Sequence, residues 1–304
     1  MGAGTVRGAV ENYRKARLGA VSPRLRERRA AARRARAVGP HLALLRVPKG
    51  GRPHAPAGDC LSVATYNVHR WTGLNGSVRP DPARAGFVIS ELGADVLALQ
   101  EVLRPREGED PLEVLADALG LHVVFACTRA HRLGLIGNAI LSRWPIAAVS
   151  MIELTCTRME KRVAICAQIE LAETALSVVA THLALSDRTR HLQVQELLGH
   201  PKLNTGATIL LGDMNAWRQC RATRALDRAL RSHHNQDWPA SFPSARPVLA
   251  LDRVYAQGAR VVSVEAFTSP AARRASDHLP VVATIELRSA AVGAQPEVPA
   301  AAER

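Results

Sequence analysis

The sequence predicts an α/β (α+β) domain whose strands pair mostly antiparallel. Short apolar runs rich in branched residues end abruptly in glycine or polar residues, as buried strands do. Between residues 123 and 181 such runs follow one another with no long helical pattern between them, which implies antiparallel pairing. Hydrophobic residues make up 47% of the 304, enough for a full core, whereas aromatics are only 4%. That core must therefore be mostly Val, Leu, Ile and Ala.

The amino-terminal stretch reads differently from the rest. Of 40 Lys+Arg and 27 Asp+Glu, residues 1–58 hold 14 and 2, leaving 26 and 25 for the remainder. The formal charge of +13 thus belongs to a leader. Residues 12–20 and 23–38 are compatible with helices, with Ser22-Pro23 as stop and restart. Arg24 to Arg36 carries arginine on several faces without an apolar stripe. A solvated or disordered arm is the first reading. A tether to anionic lipid or nucleic acid is the second, and an upstream extension from a misassigned start is the third. Residues 47–58 are a linker by their Pro and Gly content. The organisation expected is an arm and linker over 1–58, helical or disordered, a domain over 59–288, and a disordered tail over 289–304.

Within the domain, a strand over 61–66 ends at Asn67 and His69. Asp81-Pro82 starts a helix that runs to about Leu92 and buries Phe87, Ile89 and, in part, Val88. A second buried strand over 95–99 ends at Gln100-Glu101, and residues 111–119 form a short helix. Strands follow at 123–126, 138–142, 147–152, 162–171 and 176–181. A helix over 188–198 carries Leu192, Gln195 and Leu198 on one face. The run 208–211 is buried on both faces. Gly212 ends it, and Asp213 and Asn215 point the same way from its carboxyl end. A helix from about 221 to 231, a polar loop over 232–248 and strands at 249–255, 260–267 and 281–287 complete the fold.

Composition limits the function classes. No apolar run is long enough to span a bilayer. The basic terminus is not followed by an apolar signal region, so the chain is expected to be cytoplasmic, at most peripheral to a membrane, and monomeric. The five cysteines show no zinc spacing and are expected to be buried, reduced thiols. Balanced charge over 59–304 weakens, without excluding, the basic face of a nucleic-acid enzyme.

The strand ends carry the chemistry. Asn67, Glu101, His182, Asp213 with Asn215, Asp252 and the pair Asp277-His278 all fall at such ends. Each alone has a plain structural account as a turn residue, a cap or a satisfied core histidine, and Asp252 could simply pair with Arg253. Repetition is what folding alone does not explain. Carboxylates, amides and imidazoles without thiolates suit a hard divalent cation, Mg²⁺ or Mn²⁺. Together they are what phosphate-ester hydrolysis needs.

The motifs Thr65-Tyr66-Asn67, Leu99-Gln100-Glu101-Val102, Gly137-Asn138-Ala139, Thr181-His182-Leu183, Gly212-Asp213-Met214-Asn215, Leu251-Asp252-Arg253 and Ser276-Asp277-His278-Leu279-Pro280 occur in this order. In that order the chain resembles the endonuclease/exonuclease/phosphatase superfamily over about residues 60–288. The resemblance implies a four-layer α/β/β/α sandwich of two mostly antiparallel sheets flanked by helices. It implies Glu101 as principal metal ligand, with Asn67 and Asp277 on the metal side. Asp213 would activate water, and Asn138 and Asn215 would donate to phosphate oxygens. His278, oriented by Asp252, and His182 would face the phosphate. Arg162 matches a family arginine loosely, and an ion pair with Glu160 or Glu170 is the equal alternative. One position departs from the repair-nuclease branch: His69 stands where a carboxylate is expected, which puts abasic-site cleavage in doubt.

The expected activity is a metal-dependent phosphoric ester hydrolase acting on nucleic acid, a phospholipid head group or a small phosphodiester. The alternative is a catalytically silent module that binds nucleic acid or an anionic membrane through residues 1–58.

Overall fold

Two-residue alternation along the strands decides the architecture. The computed structural model describes residues 39–49, 58–76, 79–156, 161–171, 175–203, 206–230 and 237–287. Among them twelve strands form two sheets: β1 His41–Arg46, β2 Cys60–Asn67, β3 Val96–Pro105, β4 His122–His131, β5 Gly134–Ser142, β6 Ile146–Glu153, β7 Val163–Glu170, β8 Ala175–His182, β9 Ala207–Asp213, β10 Asp252–Gln257, β11 Ala259–Ala266 and β12 Val281–Leu287. The seven-stranded sheet has the order β1-β4-β5-β3-β2-β12-β11, and the five-stranded sheet the order β10-β9-β8-β7-β6. Only β2–β3 and β8–β9 pair in parallel; the other neighbours are antiparallel.

Every second residue faces the opposite sheet. Leu61 and Val63 of β2, Ile165 and Ala167 of β7, Val178 and Ala180 of β8, and Ile209 and Leu211 of β9 meet in one buried inter-sheet core. The alternate set packs outward. Ala64, Tyr66, Leu97 and Leu99 are covered by helices α1 Pro82–Leu92 and α2 Pro111–Leu119. Val179 and Leu210 are covered by α3 Asp187–Gly199 and α4 Arg221–Ala229. The result is the four-layer α/β/β/α sandwich. A short helix, α5 Ala272–Ala275, precedes β12. No helix among the described residues is long and apolar enough to cross a membrane.

Several expectations need correction. The boundary at 58/59 is misplaced, because His41–Arg46 is an edge strand of the larger sheet, paired with β4. Its alternation is weak, but Ala43 and Leu44 pack on the outer core, and Arg46 bonds Glu113 and Asp117 of α2. Phe87 is 56% exposed; Ala85, Val88 and Ile89 face the sheet instead. On α3 the buried face is Arg190, Gln193, Val194 and Leu197, while Leu192 and Gln195 are exposed. The pattern misled because the buried polar residues are tied down: Gln193 bonds the backbone at Ala184 and Leu154, and Arg190 bonds Ala184 and Asn215. Cys60 and Cys156 are exposed, unlike the other three cysteines. The expected helices over 12–20 and 23–38, most of the linker and the tail over 289–304 lie outside the described residues.

Candidate active site

At one end of the sandwich the inter-sheet rows finish in polar groups. In β2 the row Leu61-Val63-Thr65 is followed by Asn67; in β8 Leu176-Val178-Ala180 is followed by His182; in β9 Ile209-Leu211 is followed by Asp213. In β10 the row begins with Asp252, ahead of Val254 and Ala256. Register places Asp213 between His182 of β8 and Asp252 of β10. Gly212 makes this possible, since a Cβ there would lie 1.9 Å from the Thr181 carbonyl oxygen.

Asp213 is the hub. Its Oδ2 accepts from Asn67 Nδ2 at 3.2 Å and lies 3.4 Å from His182 Nε2 and 3.8 Å from His278 Nε2. Its Oδ1 accepts from the Asn215 backbone N–H at 2.9 Å. His278 reaches the site from the turn before β12, and its Nδ1 donates to Asp252 Oδ2 at 2.8 Å. Ser241 Oγ donates to that same oxygen at 2.5 Å, which holds the carboxylate in place. Arg253 does not pair with Asp252: alternation turns it to the other face, where it donates to the Ala216 carbonyl and stacks near Trp238.

Burial and charge set the protonation states. Burial alone would push His278 down, but the carboxylates of Asp252, Asp213 and Asp277 outweigh it and raise the imidazole to about 10. Burial raises Asp213 to about 6, with Asp252 adding to it and His278 and two hydrogen bonds opposing it. Burial, followed by the charges of Arg162, His278 and Arg129, holds His182 well below the usual imidazole range. The site thus contains one protonated and one neutral imidazole around a carboxylate that titrates close to neutral pH.

Beside this cluster opens a cleft of about 390 Å³ whose walls include Glu101, Asn138, Arg129, Lys161, Arg162 and His182. Glu101 sits where the β3–β5 register shifts between Leu99 and Val102, with a φ of 52°. Left-handed backbone is unusual for a residue other than glycine. Here it turns Glu101 out of the strand's alternation to the cleft, with Oε2 3.3 Å from Arg70 Nε. His69, the departing residue of the first motif, has Nδ1 3.0 Å from the Gly73 carbonyl oxygen and 3.4 Å from Asp277 Oδ1.

Asn67, His182, Asp213, Asp252 and His278 therefore meet directly, and Glu101, Asn138 and Arg162 line the adjoining cleft. The two amides are partly committed. Asn138 Nδ2 donates to the Val163 carbonyl, and Asn215 Nδ2 to the Leu183 carbonyl. Each keeps one N–H for another acceptor. Arg162 cannot reach Glu170, which ends the strand that Arg162 precedes; Glu160 lies outside the described residues. Sequence reasoning missed Lys161, just ahead of β7, and also Arg129, because it stopped β4 at Ala126. The signal was present in Cys127-Thr128-Arg129-Ala130, which continues the strand.

Asp213, Asp252 and His278 also place three ligand atoms within 4.8 Å of one another. Within that trio His278 Nδ1 is bonded to Asp252 Oδ2 at 2.8 Å, so imidazole and carboxylate are already paired with each other. Glu101, Asn67 and Asp277 are the hard oxygen donors that fit a divalent cation. Asn67 and Gln100, next to Glu101, are register partners, and Ser276, the residue before Asp277, donates from Oγ to the Asn67 carbonyl at 2.6 Å.

Two facing sheets that end in a buried acid–imidazole cluster beside a basic cleft define a two-sheet α/β sandwich protein. The chain belongs to the Endonuclease/Exonuclease/phosphatase family, whose model matches residues 64–278. It is 30% identical over 250 residues to the uncharacterized protein YbhP of Escherichia coli (strain K12), covering 75% of this chain and 96% of that one. The fold is similar to that of an endonuclease/exonuclease/phosphatase from Beutenbergia cavernae, with a TM-score of 0.61 and 23% identity over 75% of this chain and 72% of that one. It is also similar to D. rerio TDP2 complexed with single-strand DNA product, with a TM-score of 0.56 and 19% identity over 74% and 98% of the two chains. Membership of the family supports phosphoric ester hydrolysis as the activity.

Proposed function

We propose that the chain is a divalent-metal-dependent phosphoric ester hydrolase in which water attacks phosphorus in line. The observation that carries this reading is Asp213, buried, raised to about 6 and bracketed by Asn67, His182 and His278. A carboxylate titrating near working pH is matched to general-base chemistry.

Each residue then has one task. Asp213 takes the proton of the attacking water as the new O–P bond forms and the bond to the leaving oxygen breaks. Protonated His278 donates from Nε2 to a phosphoryl oxygen, and Asp252 holds its ring in that orientation. Neutral His182, the free N–H groups of Asn138 and Asn215, and Arg162 orient the remaining phosphoryl oxygens. A hard divalent ion, Mg²⁺ or Mn²⁺, held by Glu101 with Asn67 and Asp277, would neutralise phosphoryl charge. Each preorganised donor of this kind is worth roughly 3–4 kcal/mol in the transition state. The basic residues of the cleft suit an anionic substrate and balance charge that the metal does not reach.

The test is a hydrolysis screen of the purified protein with Mg²⁺, Mn²⁺ or EDTA. Substrates are plasmid and single-stranded DNA, bis-p-nitrophenyl phosphate, sphingomyelin and phosphatidylinositol phosphates. Turnover that needs a metal and disappears in Asp213→Ala is expected. Metal-independent turnover, or an Asp213→Ala protein as active as the parent, refutes the reading.

A further inference from the structure

The rim of the cleft continues onto a second surface that the proposed chemistry does not use. Leu185, at the cleft edge, is 62% exposed, and Leu192 and Trp217 are 47% and 51% exposed. The loops that carry Leu185 and Trp217 are tied to helix α3, which carries Leu192: Asn215 Nδ2 donates to the Leu183 carbonyl, Arg190 Nη1 donates to the Asn215 carbonyl, and Asp187 pairs with Arg190. The Arg190 guanidinium carbon lies 6.0 Å from the Trp217 ring centre, which supports the indole from below. Large apolar side chains are thus held outward.

Charge surrounds them. On α4, Arg221, Arg224 and Arg228 fall at i, i+3 and i+7, one helix face, and all are exposed while Ala222, Thr223 and Leu226 are buried. Arg188 and Arg218 line the same depression as Arg221, Arg224 and Leu192. The one carboxylate in that depression, Asp187, is already paired with Arg190 and Arg218.

We propose that this rim, with Leu185, Leu192 and Trp217 at its crest and the arginine face of α4 beside it, docks on an anionic membrane surface. Charge complementarity selects an anionic partner, and the apolar side chains choose between the two anionic candidates. A single-stranded nucleic acid is gripped by aromatic rings that stack on bases, and here two of the three apolar groups are leucines, which have no ring. Trp with Leu inserts at the headgroup level, and arginines bind the lipid phosphates. Docking in this orientation sets the catalytic cleft at the lipid surface.

The proposal is separate from hydrolysis, because docking is read in EDTA with no turnover. The full-length chain is sedimented with vesicles of phosphatidylcholine, with or without phosphatidylglycerol, and titrated with oligothymidylate. Binding to the anionic vesicles alone is expected, with a blue shift of tryptophan emission that Trp217→Leu removes. The double substitution Arg221→Glu/Arg224→Glu should weaken vesicle binding by more than about thirty-fold, the loss expected from removing the two arginine charges alone. It should keep the parent's circular dichroism and its rate on bis-p-nitrophenyl phosphate. Equal vesicle binding by parent and double variant would assign the effect to residues 1–58 and overturn the proposal. Absence of vesicle binding would overturn it too, as would arginine-dependent binding to oligothymidylate in place of vesicles.

Discussion

Nδ1 of His278 lies 2.8 Å from Oδ2 of Asp252, and this contact leaves Nε2 directed at Asp213, 3.8 Å away. Twenty-six residues separate the pair in sequence, yet the two belong to one working unit. Asp252→Asn keeps the shape but removes the charge that holds the proton on the ring. The expected result is a kcat lower by about 10²–10⁴, with far-UV circular dichroism unchanged. The measurement is a pH–rate profile, in which the variant's alkaline limb should move toward acid.

The same contact has a signature in stability. His278 is raised to about 10 in the folded protein, against an ordinary value of 6.5. The folded state therefore binds this proton more tightly than the unfolded chain does. Its contribution is fully present below about pH 6.5 and is lost as pH rises toward about 10. The urea midpoint should fall across that window, and Asp252→Asn should flatten the fall. A parent midpoint that rises between those limits would contradict the assigned protonation state.

Most of this site could be read from the sequence because alternation is a strict rule. Once Ile209 and Leu211 face the core, Asp213 must follow them at the strand's end, and the same holds for His182 after Val178 and Ala180. The order of the motifs then supplied the partners that are distant in sequence. What stayed hidden depends on breaks in the rule. Arg129 lies past a register shift between Cys127 and Arg129, and no alternation count predicts which way it turns. Arg190 and Gln193 are buried polar residues whose hydrogen bonds are made to distant backbone, so the helix pattern pointed to the wrong face. The even charge of residues 59–304 concealed the clustering of Arg129, Lys161 and Arg162 in one cleft. Net charge carries no positional information.

Gly212 should tolerate no side chain. A Cβ would meet the Thr181 carbonyl oxygen at 1.9 Å, and that oxygen belongs to the neighbouring strand's backbone, which cannot swing away. Gly212→Ala is expected to destabilise the fold by about 3 kcal/mol or more and to displace Asp213. Urea denaturation at neutral pH gives the first number, and activity at low temperature, where the variant is folded, gives the second.

Arg129 should act on binding more than on chemistry. Arg129 is solvent-exposed at the cleft; partial desolvation there and the nearby charges of Arg70 and Arg162 disfavour its own charge, and Glu101 offsets part of that cost. An anionic substrate would relieve the crowding. Arg129→Gln is expected to raise KM about ten-fold, with kcat changed less, and to reduce the salt dependence of KM. Initial rates at two ionic strengths on the substrate found in the screen decide it. A pure kcat effect would move Arg129 into the group that contacts the transition state.

Glu101 separates function from folding most sharply. Its φ of 52° places an ordinary side chain in left-handed backbone, where glycine or asparagine is better accommodated. Folding alone would favour either of those at this position. A carboxylate there, at the edge of the cleft and beside Arg70, is what the proposed metal-ligand role requires. Glu101→Asn should therefore hold the stability of the parent or gain up to about 1 kcal/mol, while turnover falls at least about a hundred-fold. The metal dependence should shift in step, with half-maximal activity needing a much higher Mg²⁺ or Mn²⁺ concentration. Denaturation curves and a metal titration of residual activity measure the two sides independently. A variant that loses stability but keeps its metal response would make Glu101 a structural residue, and the divalent ion would then need other ligands.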